Sequence, residues 1–527
     1  MPPAPRAGFG PVMGSALAAS PIAGDLNELL SLRARTHSQH PCLERAGGGR
    51  RVPYAEVRRV AERWSVLLDD LEIPVGATVG LAVHDPVEFA LVFLGIVAAG
   101  RVAGPLDANA TTAELTTICK RTAPHVVVAD TQCAQDGSEG WLTLPAGTFG
   151  LAGADEDLDT QLGTAQLCRE HDPTSRSGGV LLSTSGTTGA PKLIRLGISQ
   201  LLHTATAVVA HHELTDNDTG FNPLPLFHIN AEVVALLSTI VAGGTVVLDD
   251  RFHRHGFWRA IARHRVTWIN AVPAILARLG TLEPDETVPA SVRFARSASA
   301  PLSPAVLARF ERATSVPVIE TYGMTEAGSQ ITANPLHGAR KPGSVGVPAG
   351  ADVEVRGDEG CANGVGRVAI RGGGVIRTYA GPGYDDRFDA EGWLDTGDLG
   401  YFDDDGYLFL VGRSDEVINR GGEKILPREV EEILLDEVGV AAAVVVAREH
   451  VRLGEVPVAY LVPAFPSDPS QAASLVQSVQ QRCETQLSRY KRPAAYHVIE
   501  RLPQSATGKI QRRTVAEGPT IYSLVVR

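Results

Sequence analysis

Residues 182–195 read LSTSGTTGAPKLIR. The apolar run just before it, 179–182, predicts a short buried strand that feeds a loop. The loop holds Gly186 and Gly189 among five Ser/Thr side chains, Ser183, Thr184, Ser185, Thr187 and Thr188. Such a stretch offers backbone N–H groups and hydroxyls to phosphate oxygens, and Lys192 adds a compact positive charge. Gly186 and Lys192 have the spacing of a Walker loop. Yet Pro191 stands where that loop needs glycine, and Leu193 where it needs a hydroxyl for Mg²⁺. Taken alone, the stretch reads equally well as a phosphate loop or as a Ser/Thr-rich surface loop.

Outward from this loop, helical and strand patterns alternate. Residues 55–71 and 89–99 have helical character, the second ending at Gly100. Residues 78–83 and 125–129 read as strands. Residues 131–178 read as a connecting region with some short strands. Downstream, a helix is expected over 199–212 with Ser199 as its N-cap, then a strand over 266–270 and a helix from Pro273 to Gly280. A strand over 316–319 enters Glu320-Thr321-Tyr322. Alternation of this kind implies an α/β architecture with mostly parallel pairing. After Gly343 the texture becomes β: strands over 353–355 and 367–370, and a hairpin signal at Asp405-Gly406. The last stretch looks like a separate small domain, with helices over 427–435 and 471–487 and strands over 442–447 and 456–462. The expected parts are a flexible N-terminal tail over 1–24, a large domain over 25–413 and a small one over 414–527.

The chain of 527 residues is 44% hydrophobic and 20% charged, ordinary for a globular protein with a large core. Its formal net charge of −12 argues against a general nucleic-acid binder. No run of 18 apolar residues predicts a membrane span, and the N-terminal stretch is too broken by Gly and Pro for a secretory signal. A cytoplasmic location is expected. Cys42, Cys119, Cys133, Cys168, Cys361 and Cys483 form no CxxC pair or Cys/His cluster, so they read as free thiols. Six lysines, at 120, 192, 341, 424, 491 and 509, stand against 42 arginines. Where this chain keeps Lys, a point charge rather than a planar fork is indicated.

Four further stretches carry chemistry. Tyr322-Gly323-Met324-Thr325-Glu326 follows a strand, where α/β sheets place their ligands; the aromatic can stack on a base, the hydroxyl meet a phosphate and the carboxylate hold Mg²⁺. Taken alone it also reads as a turn with a capping Thr. Asp398, in Asp395-Thr396-Gly397-Asp398, can accept two ribose hydroxyls. Gly421-Gly422, in the run from Gly412 to Ile425, permits close backbone approach. Lys509 sits on a glycine-bearing loop near the C-terminus.

In this order and spacing, the five stretches resemble the adenylate-forming superfamily of acyl-CoA synthetases, peptide-synthetase adenylation domains and luciferases. The resemblance spans about residues 25–515. It implies a large N-terminal domain of stacked α/β subdomains plus a β-rich subdomain, with a small mobile C-terminal α+β domain. It also implies two steps: a carboxylate attacks ATP·Mg²⁺ to give an acyl-adenylate and pyrophosphate, and a thiol then displaces AMP.

On that resemblance, Thr184, Ser185, Gly186, Thr187, Thr188, Gly189 and Lys192 hold the β- and γ-phosphates. Ser299, Ala300, Tyr322, Gly323 and Met324 hold the nucleotide, Thr325 the α-phosphate, Glu326 the Mg²⁺, and Asp398 and Arg413 the ribose. Lys509 bridges the carboxylate and α-phosphate. The small domain rotates about Asp415 and brings Gly421, Gly422 and Lys424 to the coenzyme A path.

His228, in Pro225-Leu226-Phe227-His228-Ile229-Asn230, occupies the place of the Asp that pairs with an amino-acid ammonium in peptide-synthetase domains. An acid without that amine is therefore expected, and no carrier-protein domain follows Lys509 in these residues. The runs PLFHIN, ARSASAPLSP and ETYGMTEAGSQITANPL look most like oxalate–CoA ligase-like members of the acyl-CoA synthetase branch. His228, Asn230 and Ala298 are the expected acid-pocket residues, and Asn230, Ala231 and Ser299 supply no cationic clamp for a second carboxylate.

Leu193, Ala298 and Ala231 depart from the glycines common in the family. Those departures are read as weakening ATP use while leaving the thioester step, which keeps open a half-enzyme that only thioesterifies a preformed adenylate from a partner enzyme; an adenylating enzyme that loads a carrier protein is a separate alternative.

Overall fold

The computed structural model describes residues 25–130, 141–144, 178–184, 192–357, 364–381, 384–466, 468–503, 510–512, 514–517 and 519–526. The expected tail over 1–24, loop residues Ser185 to Pro191, Lys509, and Cys133, Cys168 and Cys361 lie outside the described residues. Cys42, Cys119 and Cys483 are free thiols, as expected.

Four sheets organise the chain. The largest has nine strands in the order Val347–Pro348, Ser329–Ala333, Val318–Met324, Phe294–Ser297, Trp268–Ala271, Thr219–Asn222, Thr245–Leu248, Pro41–Arg45 and Arg51–Pro53. From Val318–Met324 to Pro41–Arg45 every pairing is parallel, and antiparallel strands close both edges. A second sheet of six strands runs Trp141–Leu144, Val126–Asp130, Thr78–Ala82, Val102–Pro105, Gly179–Thr184 and Lys192–Gly197. Its last pair is an antiparallel hairpin that aligns Thr184 with Lys192, so the two ends of the opening loop are held side by side. The third sheet is antiparallel: Asp352–Gly357, Gly366–Arg371, Leu394–Phe402 and Leu408–Arg413. This is the mixed α/β and β-rich architecture that the sequence predicts.

The helix Pro86–Ala98 packs on strands of both large sheets and is buried almost throughout. That position explains its unbroken apolar run, since a helix covered all round needs no polar face. It starts where Asp85 accepts hydrogen bonds from the amides of Val87 and Glu88 at 2.9 and 3.0 Å. The helix Ile198–His212 differs from expectation at its start. Its N-cap is Gly197, not Ser199, and the Gln200 side chain accepts from the Gly197 amide at 2.9 Å. Gln200 also donates to the Val375 carbonyl at 2.9 Å, so the cap ties the helix to the loop beyond it.

A π-helix, Asn230–Leu237, follows the PLFHIN run, and all eight residues are buried. Such wide turns concentrate at functional sites.

The fourth sheet lies C-terminal to Arg413. It runs Glu423–Ile425, Ile418–Arg420, Gly454–Pro463, Ala495–Ile499 and Thr520–Val525, with Val440–His450 also on Gly454–Pro463. The helices Pro427–Leu435 and Pro469–Gln486 cover it, burying Val430, Leu434, Val476 and Val479. Arg512 pins this region. Its guanidinium meets Glu416 at 3.2 Å and Glu431 at 3.0 Å, and donates to the Val445 carbonyl at 3.0 Å.

Candidate active site

The Val318–Met324 strand runs further than the sequence pattern suggests, so Tyr322, Gly323 and Met324 are strand residues rather than a turn. Thr325 then opens a 3₁₀ turn, Thr325–Ala327, which places Glu326 inside the protein. Gly323 is required by packing: a Cβ there would sit 1.5 Å from the Ser329 carbonyl oxygen. The neighbouring strand can approach this closely only because no side chain intervenes.

Tyr322 donates its hydroxyl to Asp398 Oδ2 at 2.5 Å. Burial, then the Asp398 charge, pushes its pKa far up, so it stays a donor. Asp398 Oδ1 accepts from Arg413 Nη1 at 3.0 Å, and Arg413 Nε donates to Asp415 Oδ1 at 3.1 Å. Three motifs distant in sequence thus share one hydrogen-bonded chain. Antiparallel pairing puts Asp398 directly opposite Arg413.

Glu326 and Lys192 form a second group. Glu326 Oε1 accepts the Tyr379 hydroxyl at 3.0 Å, and its other oxygen has no hydrogen-bond partner among the described residues. The Lys192 ammonium lies 5.1 and 4.7 Å from the ring centres of Tyr379 and Tyr384. Burial, then Arg387, lowers the Lys192 pKa, while the Glu326 charge opposes them. Tyr379, Tyr384 and Arg387 were not legible as site residues, because no motif marks them. Leu193 is half-buried between buried Lys192 and Ile194, so its side chain leaves the strand on the opposite face from Lys192.

A third group stands at the ends of the central parallel strands. His228 lies 4.4 Å from Phe227 between ring centres, and its Nε2 is buried without a partner among the described residues. Burial lowers its pKa to about 4, with Asp107 opposing, so the ring is neutral near pH 7. Asn230 Nδ2 donates to Ser299 Oγ at 3.4 Å. Ser299 has φ +71°, and together with Ala300 it is exposed beside buried Ala298.

The sequence reading found no cationic clamp in Asn230, Ala231 and Ser299, and the structure brings a cation to Asn230 from outside those three residues. Arg296 Nη1 donates to Asn230 Oδ1 at 3.0 Å and to Asn270 Oδ1 at 3.2 Å. The signal was an Arg inside the short Phe294–Ser297 strand, which is buried at every position. Gly421, Gly422 and Lys424 sit instead in an exposed hairpin of the C-terminal sheet, where the Gly422 amide donates to Asn419 at 3.0 Å.

A family model for AMP-binding enzymes matches residues 30–380, and one for the AMP-binding enzyme C-terminal domain matches residues 429–509. The chain belongs to the AMP-binding enzyme family.

This AMP-binding enzyme is 34% identical over 481 residues to an oxalate–CoA ligase of Arabidopsis thaliana, covering 88% of this chain and 91% of that one. It is 40% identical over 346 residues to a sulfoacetate–CoA ligase of Cupriavidus necator, covering 64% and 67%. Among solved structures it resembles the o-succinylbenzoate CoA synthetase of Bacillus subtilis in complex with ATP and magnesium ion. That match has TM-score 0.76 and 27% identity, and covers 93% of this chain and 99% of that one.

The AMP-binding enzyme is accordingly an ATP-dependent acid–thiol ligase that works through an acyl-adenylate, with ATP, Mg²⁺ and coenzyme A taking part. Among its described residues no helix is long and apolar enough to cross a membrane.

Proposed function

We propose that the two half-reactions are carried by the residues named from the sequence. A small carboxylic acid lies against His228, Asn230 and Ala298. Adenine lies by Tyr322, with Gly323, Met324, Ser299 and Ala300 lining the nucleotide, and the ribose hydroxyls donate to Asp398, which Arg413 holds. Thr325 meets the α-phosphate, and the loop from Thr184 to Lys192 covers the outer phosphates. Glu326 fits Mg²⁺, because one of its oxygens is fixed by Tyr379 and the other is left for an oxygen-seeking cation. Bound there, Mg²⁺ would neutralise charge between the two reacting anions.

Lys509 enters between carboxylate and phosphate for the first step, so adenylation rests on positioning and charge rather than covalent help. The segment 414–527 then turns about Asp415, withdraws Lys509, and brings Gly421, Gly422 and Lys424 toward the thiol. Coenzyme A supplies that thiol rather than a carrier protein, and the enzyme works in the cytoplasm.

The observation that carries this reading is the chain Tyr322–Asp398–Arg413–Asp415, which joins the adenine, ribose and hinge positions. Leu193 does not oppose it, since its side chain turns away from the face of Lys192.

The test separates the half-reactions. Lys509→Ala should lower acid-dependent pyrophosphate release at least about 100-fold, the scale of one lost charge-stabilising group. Thioester formation from supplied acyl-adenylate should stay within a few-fold. Equal loss in both steps, or in neither, would refute the role of Lys509. Thioester formation without any pyrophosphate release by the parent would favour the half-enzyme.

A further inference from the structure

Arg296 is 1% exposed. Its Nη1 is shared by the oxygens of Asn230 and Asn270, and its Nε is buried with no partner among the described residues. Asn270 Nδ2 donates to Asn222 Oδ1 at 3.0 Å and to Asn230 Oδ1 at 3.3 Å, which turns the amide oxygens toward the guanidinium. Amide oxygens orient a cation and leave its charge whole. Among the described residues no carboxylate pairs with Arg296, and burial alone lowers its pKa to about 9. Glu232, two residues from Asn230, makes no ion pair with it, and burial raises the Glu232 pKa so that the group is a neutral acid. An uncompensated buried cation is costly, and one held by two amides, with Asn222 bracing one of them, is matched to an anion that arrives later.

The position of that cation is also informative. Asn230 links Arg296 to Ser299, beside Ala298 and two residues after His228, whose Nε2 is likewise unpartnered. The guanidinium is therefore hydrogen-bonded to Asn230, one of the residues given to the acid.

We propose that Arg296, positioned by Asn230 and Asn270, is a specificity-determining residue that binds a second anionic group, so that the substrate is a short carboxylic acid bearing a carboxylate or a sulfonate at its other end. This rests on the acid-activating reading above. A planar carboxylate would take two guanidinium N–H groups side by side.

Calorimetry on the full chain with a non-hydrolysable ATP analogue and Mg²⁺ tests it. The titrants are oxalate, malonate, succinate and sulfoacetate, with malonamate, succinamate and methylsulfonylacetate as neutral-ended counterparts. At least one dianion should bind about 100-fold tighter than its counterpart, the usual scale for a buried charge pair. That preference should shrink to within about fivefold in Arg296→Gln and be partly retained in Arg296→Lys. The carboxylate and sulfonate arms decide which end group fits. Thermal unfolding checks that the variants fold, and if Arg296→Gln does not, the parent ratio and Arg296→Lys decide.

Equal binding of the pairs, no binding of any dianion, or a preference that survives Arg296→Gln overturns the proposal. An Arg296-dependent preference without pyrophosphate release from any of these acids would instead overturn the activating function and leave this assignment standing.

Discussion

Glu232 is fully buried on the π-helix, and neither of its oxygens has a partner among the described residues. Burial pushes its pKa well above the ordinary 4.5. Above about that pH the unfolded chain releases the proton while the folded chain keeps it, so this group subtracts stability as pH rises. Glu232→Gln removes the penalty without changing the shape of the group. The expected result is a Tm difference, variant minus parent, that grows steadily between pH 5 and pH 8. A difference independent of pH would mean that the carboxyl finds a partner. His212 works in the opposite direction. It is fully buried and held neutral, with a pKa well below 6.5, so stability falls as pH drops through the range where the unfolded imidazole takes its proton. Both groups were invisible in the sequence as stability determinants, because only the packing around them removes their water.

At the scale of elements, caps and periods carried the reading. Pro427 marked a helix that runs Pro427–Leu435, as expected, and Gly280 follows a helix that ends at Leu279. The helix Pro86–Ala98 owes its start to Asp85, which satisfies two of the amides that a helix leaves open. Asp85→Ala should cost about 1 kcal/mol, read as a lower urea midpoint with unchanged slope. An unchanged midpoint would assign the start of the helix to Pro86 alone. The π-helix was not legible, since the run from Asn230 onward is apolar without a period. The motif Tyr322–Glu326 stood out in the sequence as a candidate ligand site, but the need for Gly323 lies in the register against Ser329. Arg296 stayed hidden for a related reason: its partners stand 66 and 26 residues away in the chain.

At the scale of the whole molecule, the site residues come from three sheets. Tyr322 and Arg296 stand on the nine-stranded one, Lys192 on the six-stranded one, and Asp398 and Arg413 on the antiparallel one. The sequence named all of these but Arg296, and none of their connections, because adjacency between sheets is set by tertiary packing. The Arg512 anchor has a consequence for recombination between relatives. Glu416 lies after Arg413 in the chain, yet it is tied to Arg512 and, through it, to the helix Pro427–Leu435. A crossover placed between Arg413 and Glu416 hands the whole tie to one parent. A crossover after Arg420 takes Glu416 from one parent and Arg512 from the other. Hybrids of the first kind should unfold near the temperature of the parent that donates the C-terminal part, and hybrids of the second kind several degrees lower wherever the donor's anchor differs. Equal melting of the two sets would show the tie to be dispensable. A seam for exchanging the C-terminal segment that keeps this tie whole therefore lies before Glu416.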